Sequence, residues 1–513
     1  MSGEILVRQD APSVSFSFRT FWRYTGPGWL MSLAYLDPGN LEADLQAGAY
    51  AGYHLIWVLL GAHLLGFLLQ VLAARLSVVT GDALAERCRK DYPRWLSRLL
   101  WVMSEIAIIG ADLQEVIGTS IALNVLFGFP YWLGTIITAV DTFTIMLIHA
   151  YRGVRVTEFF IFTSVMVMMG CFWANMIDVA PPAKDVISGF VPSVKSYAVV
   201  QMVAIVGAVI MPHNLYLHSG LVKSRKIDRS SDEAVRQANK YFSIDACIAL
   251  VISFLINIAL VCSFAHGFFA ENCAAHSEEQ LACRAPGIDN WQPEKDAVML
   301  KCATPSGASG YCTKLGIDNG GEAMQGLLGS AGKYVFAIGL LAAGQASTLT
   351  GTFSGQIVME GFLQLKLSAW KRVILTRGVA LGPALVIALL REKIPSLSEA
   401  NEWLNVLQSI QLPFALLPLI FFTTRKSVMR EWVLGNVLMV IVVTAAISII
   451  AINFFLVGST IFKAFNGYIH PALIVALVFI GSAYICLCAL CLTGRSLTAS
   501  CNALIHSFKK QAL

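Results

Sequence analysis

The feature that most constrains the fold is a series of apolar stretches that recurs along nearly the whole chain. Each stretch comes near or exceeds the roughly 20 residues that a helix needs to cross about 30 Å of hydrocarbon. A transmembrane barrel would instead show short alternating segments. We therefore predict an all-α polytopic membrane protein. The twelve predicted spans are 26–47, 54–74, 101–127, 132–150, 157–177, 198–219, 243–267, 332–355, 373–390, 403–423, 432–456 and 470–493.

The composition agrees with a single membrane domain. The 513 residues are 56% hydrophobic and only 13% charged, which is too apolar for a soluble protein of several domains. We predict a transmembrane domain over 25–493 with polar tails at 1–24 and 494–513. Residues 1–24 lead into a full span, so we expect an uncleaved anchor and no signal peptide. One long polar loop, 268–331, separates spans 7 and 8.

The distribution of lysine and arginine predicts the orientation. If the N-terminus is cytosolic, the short inside loops carry nineteen of these residues and the short outside loops carry five. This bias places both termini in the cytosol and the long loop outside. It also accounts for the net charge of +5, so no nucleic-acid partner is needed. The sequence leaves open the oligomeric state, and whether the membrane is the plasma membrane or an endosomal or lysosomal-vacuolar membrane.

Four of the twelve cysteines lie in the long outside loop: Cys273, Cys283, Cys302 and Cys312. Four cysteines in an oxidising compartment predict two disulfides, for which three pairings are possible. A zinc site is the alternative interpretation. It is disfavoured because the spacings contain no C-x-x-C pair.

Two predicted spans are interrupted by polar residues and proline. LDPGN at 36–40 interrupts the first span, and MPHNLYLHS at 211–219 interrupts the sixth. Backbone groups freed by a break are tolerated at membrane depth only where they are buried in protein or line a cavity. Breaks at corresponding positions of two halves are typical of secondary transporters with inverted repeats. The alternative for LDPGN alone is a turn that ends a short first span.

The residues at the breaks indicate what would bind there. Asp37 offers a carboxylate, Asn40 an amide oxygen and Met211 a thioether, while the backbone near Ala208 can present a carbonyl. Oxygen ligands alone would suit Mg²⁺ or Ca²⁺, but the sulfur favours a later transition metal. We therefore expect Mn²⁺ or Fe²⁺. The alternative for Met211 is an adaptable core residue.

Three acidic residues lie in the third span: Glu105, Asp112 and Glu115. At about 100° per residue they share one face, with Asp112 roughly 20° from Glu105 and Glu115 about 60° from Asp112. Carboxylates along one membrane helix predict a proton relay. The alternative is structural pairing with a buried cation such as Arg377 or Arg75.

His213 follows directly at the sixth-span break and could carry protons between Asp37 and the third span. It could equally satisfy a carbonyl freed by Pro212. Together with His218 it invites comparison with a membrane metalloprotease, but the H-E-x-x-H spacing and its glutamate are absent. We therefore expect no enzymatic activity.

Three motifs together resemble the signatures of the Nramp family of proton-coupled divalent metal transporters. They are LDPGN, MPHNLYLHS and GQASTLTGTFSGQIVMEGFL at 344–363. In the third motif Ala346, Phe353 and Ser354 stand where Ser, Tyr and Ala are common. The resemblance covers roughly 20–460. It implies a leucine-transporter-like inverted repeat of five plus five helices, here with two extra C-terminal spans.

The resemblance also implies roles for individual residues. The metal ligands would be Asp37, Asn40, Ala208 (through its carbonyl), Met211 and, as the site closes, Asn405. The proton route would run through Asp37, His213, Glu105, Asp112 and Glu115. Basic residues of the ninth span would join it, at Arg377 or at Lys371 and Arg372 if the register differs.

These features predict a secondary active transporter that imports Mn²⁺ or Fe²⁺, and also Cd²⁺ and Co²⁺, toward the cytosol by alternating access. Protons are the coupling ion and no resident cofactor is expected. The partners are therefore divalent metal ions, protons and the lipid bilayer. Two alternatives are kept: an organic-solute symporter on the same fold, and a metal sensor that does not transport.

Overall fold

A computed structural model of the chain describes residues 5–6, 16–152, 154–275, 281–285, 297–365, 371, 397–464 and 471–493, with isolated positions between 382 and 389. Within these ranges, nine helical segments are long and apolar enough to cross a membrane, and two of them, Ser196–Lys223 and Asn401–Thr423, each join two consecutive helices. They correspond to the second, third, fifth, sixth, seventh, eighth, tenth, eleventh and twelfth predicted spans. Most of the ninth span, including Arg372 and Arg377, lies outside the described residues.

The first and fourth spans are helical but differ from the nine. The fourth is a helix at Tyr131–Arg152, close to its predicted position. The first is two shorter helices, Pro27–Leu33 and Pro38–Ala51, because the chain leaves the helical conformation between them. The expected interruption of this span is therefore confirmed.

We number the elements in chain order. The helices are α1 (Phe18–Tyr24), α2 (Pro27–Leu33), α3 (Pro38–Ala51), α4 (Ile56–Thr80), α5 (Leu84–Asp91), α6 (Arg94–Phe127), α7 (Tyr131–Arg152), α8 (Val154–Val179), α9 (Ala183–Ser188), α10 (Val199–Val209), α11 (Pro212–Lys223), α12 (Asp232–Phe268), α13 (Glu271–Ala274), α14 (Ile317–Leu363), α15 (Leu397–Gln411), α16 (Pro413–Thr423), α17 (Lys426–Met429), α18 (Asn436–Ala464) and α19 (Pro471–Thr493). The strands are β1 (Ile5–Leu6), β2 (Arg225–Lys226), β3 (Ala282–Arg284), β4 (Ala297–Ala303) and β5 (Ser309–Thr313).

Helix α3 lies in the middle of the bundle, since all fourteen of its residues are buried. It packs against α12, α10, α6, α14 and α15. A helix buried all round is normally apolar all round, yet this one carries Asn40, Glu42, Asp44 and Gln46. Buried polar groups of this density require partners inside the protein, and they indicate a functional centre.

The loop between α12 and α14 contains a small antiparallel sheet of order β3–β5–β4, which the sequence did not predict. Two disulfides close it, Cys273–Cys312 and Cys283–Cys302. The expected two disulfides are confirmed, and one of the three pairings is selected. The sulfur atoms of Cys273, Cys302 and Cys312 lie within 4.8 Å of one another, but disulfide bonding removes the thiolates that zinc would need.

Helix α14 begins inside the predicted loop 268–331, at Ile317. Gly329 interrupts it with a φ of +73°, which favours glycine, and the predicted eighth span starts just beyond this kink. The acidic and amide side chains of the first segment lower its hydropathy, and its glycines weaken the helical pattern; the polar residues are Asp318, Asn319, Glu322 and Gln325. The sequence therefore gave no sign that this part of the loop is helical.

Candidate metal site

The first break is formed by the preferences of its own residues. After α2 ends at Leu33, Asp37 adopts an extended conformation and becomes the N-cap of α3. Its Oδ1 atom accepts a hydrogen bond from the backbone N–H of Asn40 at 2.8 Å. Pro38 occupies the first helical position, where its missing N–H costs nothing. LDPGN is therefore the start of a second helix, and the interpretation as a terminal turn is wrong.

The second break repeats this arrangement without a capping side chain. Helix α10 ends at Val209, and Ile210 is non-helical with φ −111° and ψ 74°. Met211 is the N-cap of α11, with no hydrogen bond from its side chain, and Pro212 again takes the first helical position. Met211 is 1% exposed, so its thioether lies inside the protein at the interruption.

The two breaks meet. The Nδ2 atom of Asn40 donates to Asp37 Oδ1 at 2.8 Å and to the carbonyl oxygen of Ala208 at 3.0 Å. A second link runs from Asn214 Nδ2 to the carbonyl oxygen of Ala34 at 3.3 Å. Three of the predicted ligands, Asp37, Asn40 and Ala208, therefore form one hydrogen-bonded unit that joins α3 to α10.

Helix α15 brings the fourth predicted ligand to the same place. Asn405 Nδ2 donates to the carbonyl oxygen of Gly39 at 2.9 Å. Its Oδ1 atom accepts from Gln114 Nε2 at 2.8 Å, and Gln114 Oε1 accepts from Gln408 Nε2 at 2.8 Å. Side chains of α6 and α15 thus position Asn405 on the first break. The sequence analysis missed Gln114 and Gln408, although each is a fully buried amide in a predicted span.

A glycine next to the capping aspartate allows this contact with α6. A Cβ atom at Gly39 would lie 2.6 Å from Gln114 Oε1, which is closer than real Cβ contacts. Gly118, one turn further along α6, packs in the same way on Pro38. The glycine of LDPGN therefore has a packing role as well as a backbone one.

The chemistry of the assembled groups matches a cation. Asp37 is 4% exposed and Asn40 is 1% exposed, so both lie away from bulk water. The Oδ1 atom of Asn40 is buried and has no hydrogen-bond partner among the described residues. The structure joins a carboxylate, an amide and a backbone carbonyl, and Met211 lies three residues beyond Ala208; such a set of ligand types suits a divalent transition metal.

The third-span acids lie on α6 in different surroundings. Glu115 accepts a hydrogen bond from the Thr348 hydroxyl of α14. Asp112 is 2% exposed, whereas Glu105 is half-buried and accepts from Trp101 Nε1 at 2.8 Å. Glu105 and Asp112 are seven residues apart, which is about 10 Å along the helix axis. The three acids are therefore spaced along α6 and do not form one continuous cluster.

His213 lies two residues beyond Met211 in the first turn of α11. It is 3% exposed, and its Nδ1 atom has no hydrogen-bond partner within the described part of the chain. Its position next to the second break agrees with the expected location. Arg377 is not among the described residues, so its assignment to the proton route stays a prediction.

The fold and site define a polytopic helical membrane protein of leucine-transporter-like architecture, with two broken helices that meet at a buried polar centre. Comparison with known proteins gives the family. The Nramp family profile, described as natural resistance-associated macrophage protein-like, matches residues 28–285 and 296–459. The chain belongs to the Nramp family.

Relatives with known names agree with this assignment. The chain is 48% identical to natural resistance-associated macrophage protein 2 of Mus musculus over 440 residues, which cover 83% of this chain and 74% of the relative. It is 44% identical to the metal transporter nramp1 homolog of Dictyostelium discoideum over 449 residues, 86% of this chain and 75% of the relative. A manganese transporter of Eremococcus coleocola, solved with an aromatic bis-isothiourea substituted compound, superposes with a TM-score of 0.75 at 28% identity. The match covers 96% of this chain and 97% of that structure.

Proposed function

We propose that the protein is a proton-coupled importer of divalent transition-metal ions, with Mn²⁺ or Fe²⁺ as the main substrate and Cd²⁺ and Co²⁺ also accepted. The observation that carries the proposal is the convergence of Asp37 Oδ1 and the Ala208 carbonyl oxygen on one atom, Asn40 Nδ2, between the two broken helices. The names of the relatives, a metal transporter and a manganese transporter, support the class of substrate.

The cation would replace the amide hydrogens of Asn40. Two oxygen atoms that converge on one donor offer a cation the same two ligands. When the Asn40 amide turns over, its Oδ1 atom becomes a third oxygen ligand and its NH₂ group leaves the site. Met211 would add the sulfur ligand that selects a transition metal over Ca²⁺ or Mg²⁺. Asn405 would join through its amide oxygen by exchanging its contacts to Gly39 and Gln114.

Alternating access would follow from the two broken helices. Asp37 and Ala208 belong to different helices, so a motion of one repeat against the other opens the site to one side at a time. An inside-negative potential favours entry by roughly 2.3 kcal/mol per charge per 100 mV, or about twice that for a divalent ion. Protons would leave through His213 and the acids of α6, among which Glu115 already contacts α14.

An organic-solute symporter is less compatible with this site. Sites for amino acids on this architecture present helix N-termini to a substrate carboxylate, whereas here Asp37 occupies that N-terminus and would repel an anion. A metal sensor would share the ligands, and only a flux measurement separates it from a transporter.

The test is uptake into proteoliposomes that contain the purified protein, with Mn²⁺ outside at acidic or neutral pH and a pH indicator inside. We expect metal entry together with proton entry, both lost in Asp37→Ala and both kept in Asp228→Ala, which removes an exposed carboxylate from a loop. Metal entry without proton entry would refute the coupling. Absence of metal entry at either pH would refute transport, and retained metal binding would then favour the sensor.

A further inference from the structure

Helix α1 has three faces of different chemistry. At about 100° per residue, Phe21 and Tyr24 share one face, Phe18 and Trp22 a second, and Arg19 with Arg23 a third. The first face is buried, with Phe21 8% and Tyr24 0% exposed. It packs on α12, where the ring of Tyr24 stacks on that of Tyr241 at a centroid distance of 5.5 Å. Helix α1 is therefore anchored to the bundle through the face of Phe21 and Tyr24.

The second face is aromatic and uncovered. Phe18 is 69% exposed and Trp22 is 57% exposed, and their rings stack at 6.4 Å. Phe16, which is 53% exposed, extends this surface toward Tyr241. Apolar groups of this size on one short helix are unfavourable in water and mark an interaction surface.

The position of α1 along the chain indicates what covers this face. Only Thr25 and Gly26 separate α1 from α2, the first half of the first membrane span. Helix α1 therefore lies at the boundary between the membrane and the cytosol. Tryptophan prefers this boundary because its ring is apolar while its N–H group can still be hydrated.

A basic side chain adjoins the aromatic face on α1 itself. Arg19 is exposed and lies about 100° around the helix from Phe18 and about 60° from Trp22. The surface formed by Phe18 and Trp22 therefore has a cationic edge that is complementary to an acidic headgroup.

We propose that α1 is an interfacial helix that binds anionic phospholipid of the cytosolic leaflet. Phe18 and Trp22 lie at the level where acyl chains meet headgroups, and Arg19 contacts the acidic headgroup. Bound lipid holds α1 on the membrane surface. Because α1 continues through Thr25 into α2, the lipid composition then influences the half-helix that leads to the first break.

The test uses the intrinsic fluorescence of Trp22 in the full-length protein. The protein is reconstituted into equimolar phosphatidylserine and phosphatidylcholine, with bromine, a tryptophan quencher, on the chains of one lipid or the other. The signal of Trp22 is the difference between the wild type and Trp22→Phe, which keeps an aromatic ring. We expect the brominated phosphatidylserine to quench this signal severalfold more than the brominated phosphatidylcholine, since each basic residue near an anionic surface changes binding by roughly fivefold.

Two single variants separate binding at this surface from general charge. Arg19→Gln should make quenching by the two lipids nearly equal. Arg94→Gln removes an exposed basic residue from the start of α6 and should leave the preference unchanged. Both substitutions are at exposed positions, and a monodisperse elution profile verifies folding. Equal quenching in the wild type, no quenching of Trp22 by either lipid, or a preference that persists without Arg19 would each overturn the proposal.

Discussion

The two breaks share a proline at the first helical position, but they are stabilised in different ways. At the first break, Asp37 and Asn40 bond to each other and cap α3 with their own side chains. At the second break, Met211 makes no capping bond and the Ala208 carbonyl accepts from the first break. The first break is therefore stabilised by the groups that would bind a cation, whereas the second offers ligands that its own structure does not need.

This difference predicts that substitutions at the first break affect charge and structure together, whereas those at the second affect selectivity. Helices α2 and α11, one half of each broken span, are also held in different ways. Helix α11 is buried along nearly its whole length. Helix α2 is held at its start by Asp245 of α12, which accepts from the Thr25 hydroxyl at 2.5 Å and from the Gly28 N–H at 2.6 Å.

The largest effect is expected at Asp37. Asp37→Ala removes a ligand and an N-cap, and the cap alone contributes about 0.5–2 kcal/mol. Asp37→Asn keeps a good cap and removes the charge, so it should fold like the wild type. Loss of a residue that only hydrogen-bonds to a metal ligand typically lowers metal affinity or activity by roughly 10- to 100-fold. Because Asp37 is expected to bind the metal directly, we expect both variants to lower Mn²⁺ uptake by more than this. Uptake by Asp37→Asn above about a tenth of wild type would contradict a ligand role for the carboxylate.

Gln114 should follow, because it holds Asn405 of α15 against the first break. Gln114→Leu leaves the amides of Asn405 and Gln408 without this partner, and we expect Mn²⁺ affinity to fall by about 10- to 100-fold. Isothermal titration calorimetry measures this loss directly. The matched control is Gln46→Leu, which removes an equally buried amide that bonds to Glu42 away from the break. If both variants bind Mn²⁺ equally well, Gln114 does not organise the site.

Met211 should change discrimination more than uptake. Met211→Leu keeps the volume and removes the sulfur, so Ca²⁺ should compete with Mn²⁺ about tenfold better while Mn²⁺ transport persists. Competition assays with Ca²⁺ in the uptake medium measure the effect. Unchanged competition would leave Met211 as a packing residue.

The smallest effect is expected at the attachment of α2. Asp245→Asn replaces a charged acceptor of two hydrogen bonds with a neutral amide that has one acceptor oxygen, and hydrogen bonds to charged groups contribute roughly 1.5–3 kcal/mol. Hydrogen–deuterium exchange should rise in α2 and stay unchanged in α11, with a change of a fewfold in transport rate. An equal rise in both helices would indicate general destabilisation of the bundle.

Composition and residue chemistry were sufficient to predict the membrane bundle, both interruptions, the disulfide count and the meeting of Asp37, Asn40 and Ala208. Charge and proline at membrane depth are costly, so they stand out in a sequence. The contributions of Gln114 and Asp245 were not predictable, because a buried amide or carboxylate acquires its role from partners more than 200 residues away. The sheet in the disulfide-bonded loop was missed for a related reason, since its short strands carry no periodic apolar signal.

The disulfide-bonded loop between α12 and α14 is tied to the first broken helix. The Tyr50 hydroxyl and the Leu315 backbone exchange hydrogen bonds at 2.5 and 2.8 Å, and the Glu42 carboxylate accepts from the Ile317 N–H at 2.7 Å. Helix α3 is thus fastened to a segment that two disulfides hold in shape, while its N-terminal end contributes Asp37. A reductant that stays in the water on the loop's side of the membrane would break the two disulfides and loosen this attachment. It would thereby change the position of α3 at the buried polar centre, which the reductant itself never enters.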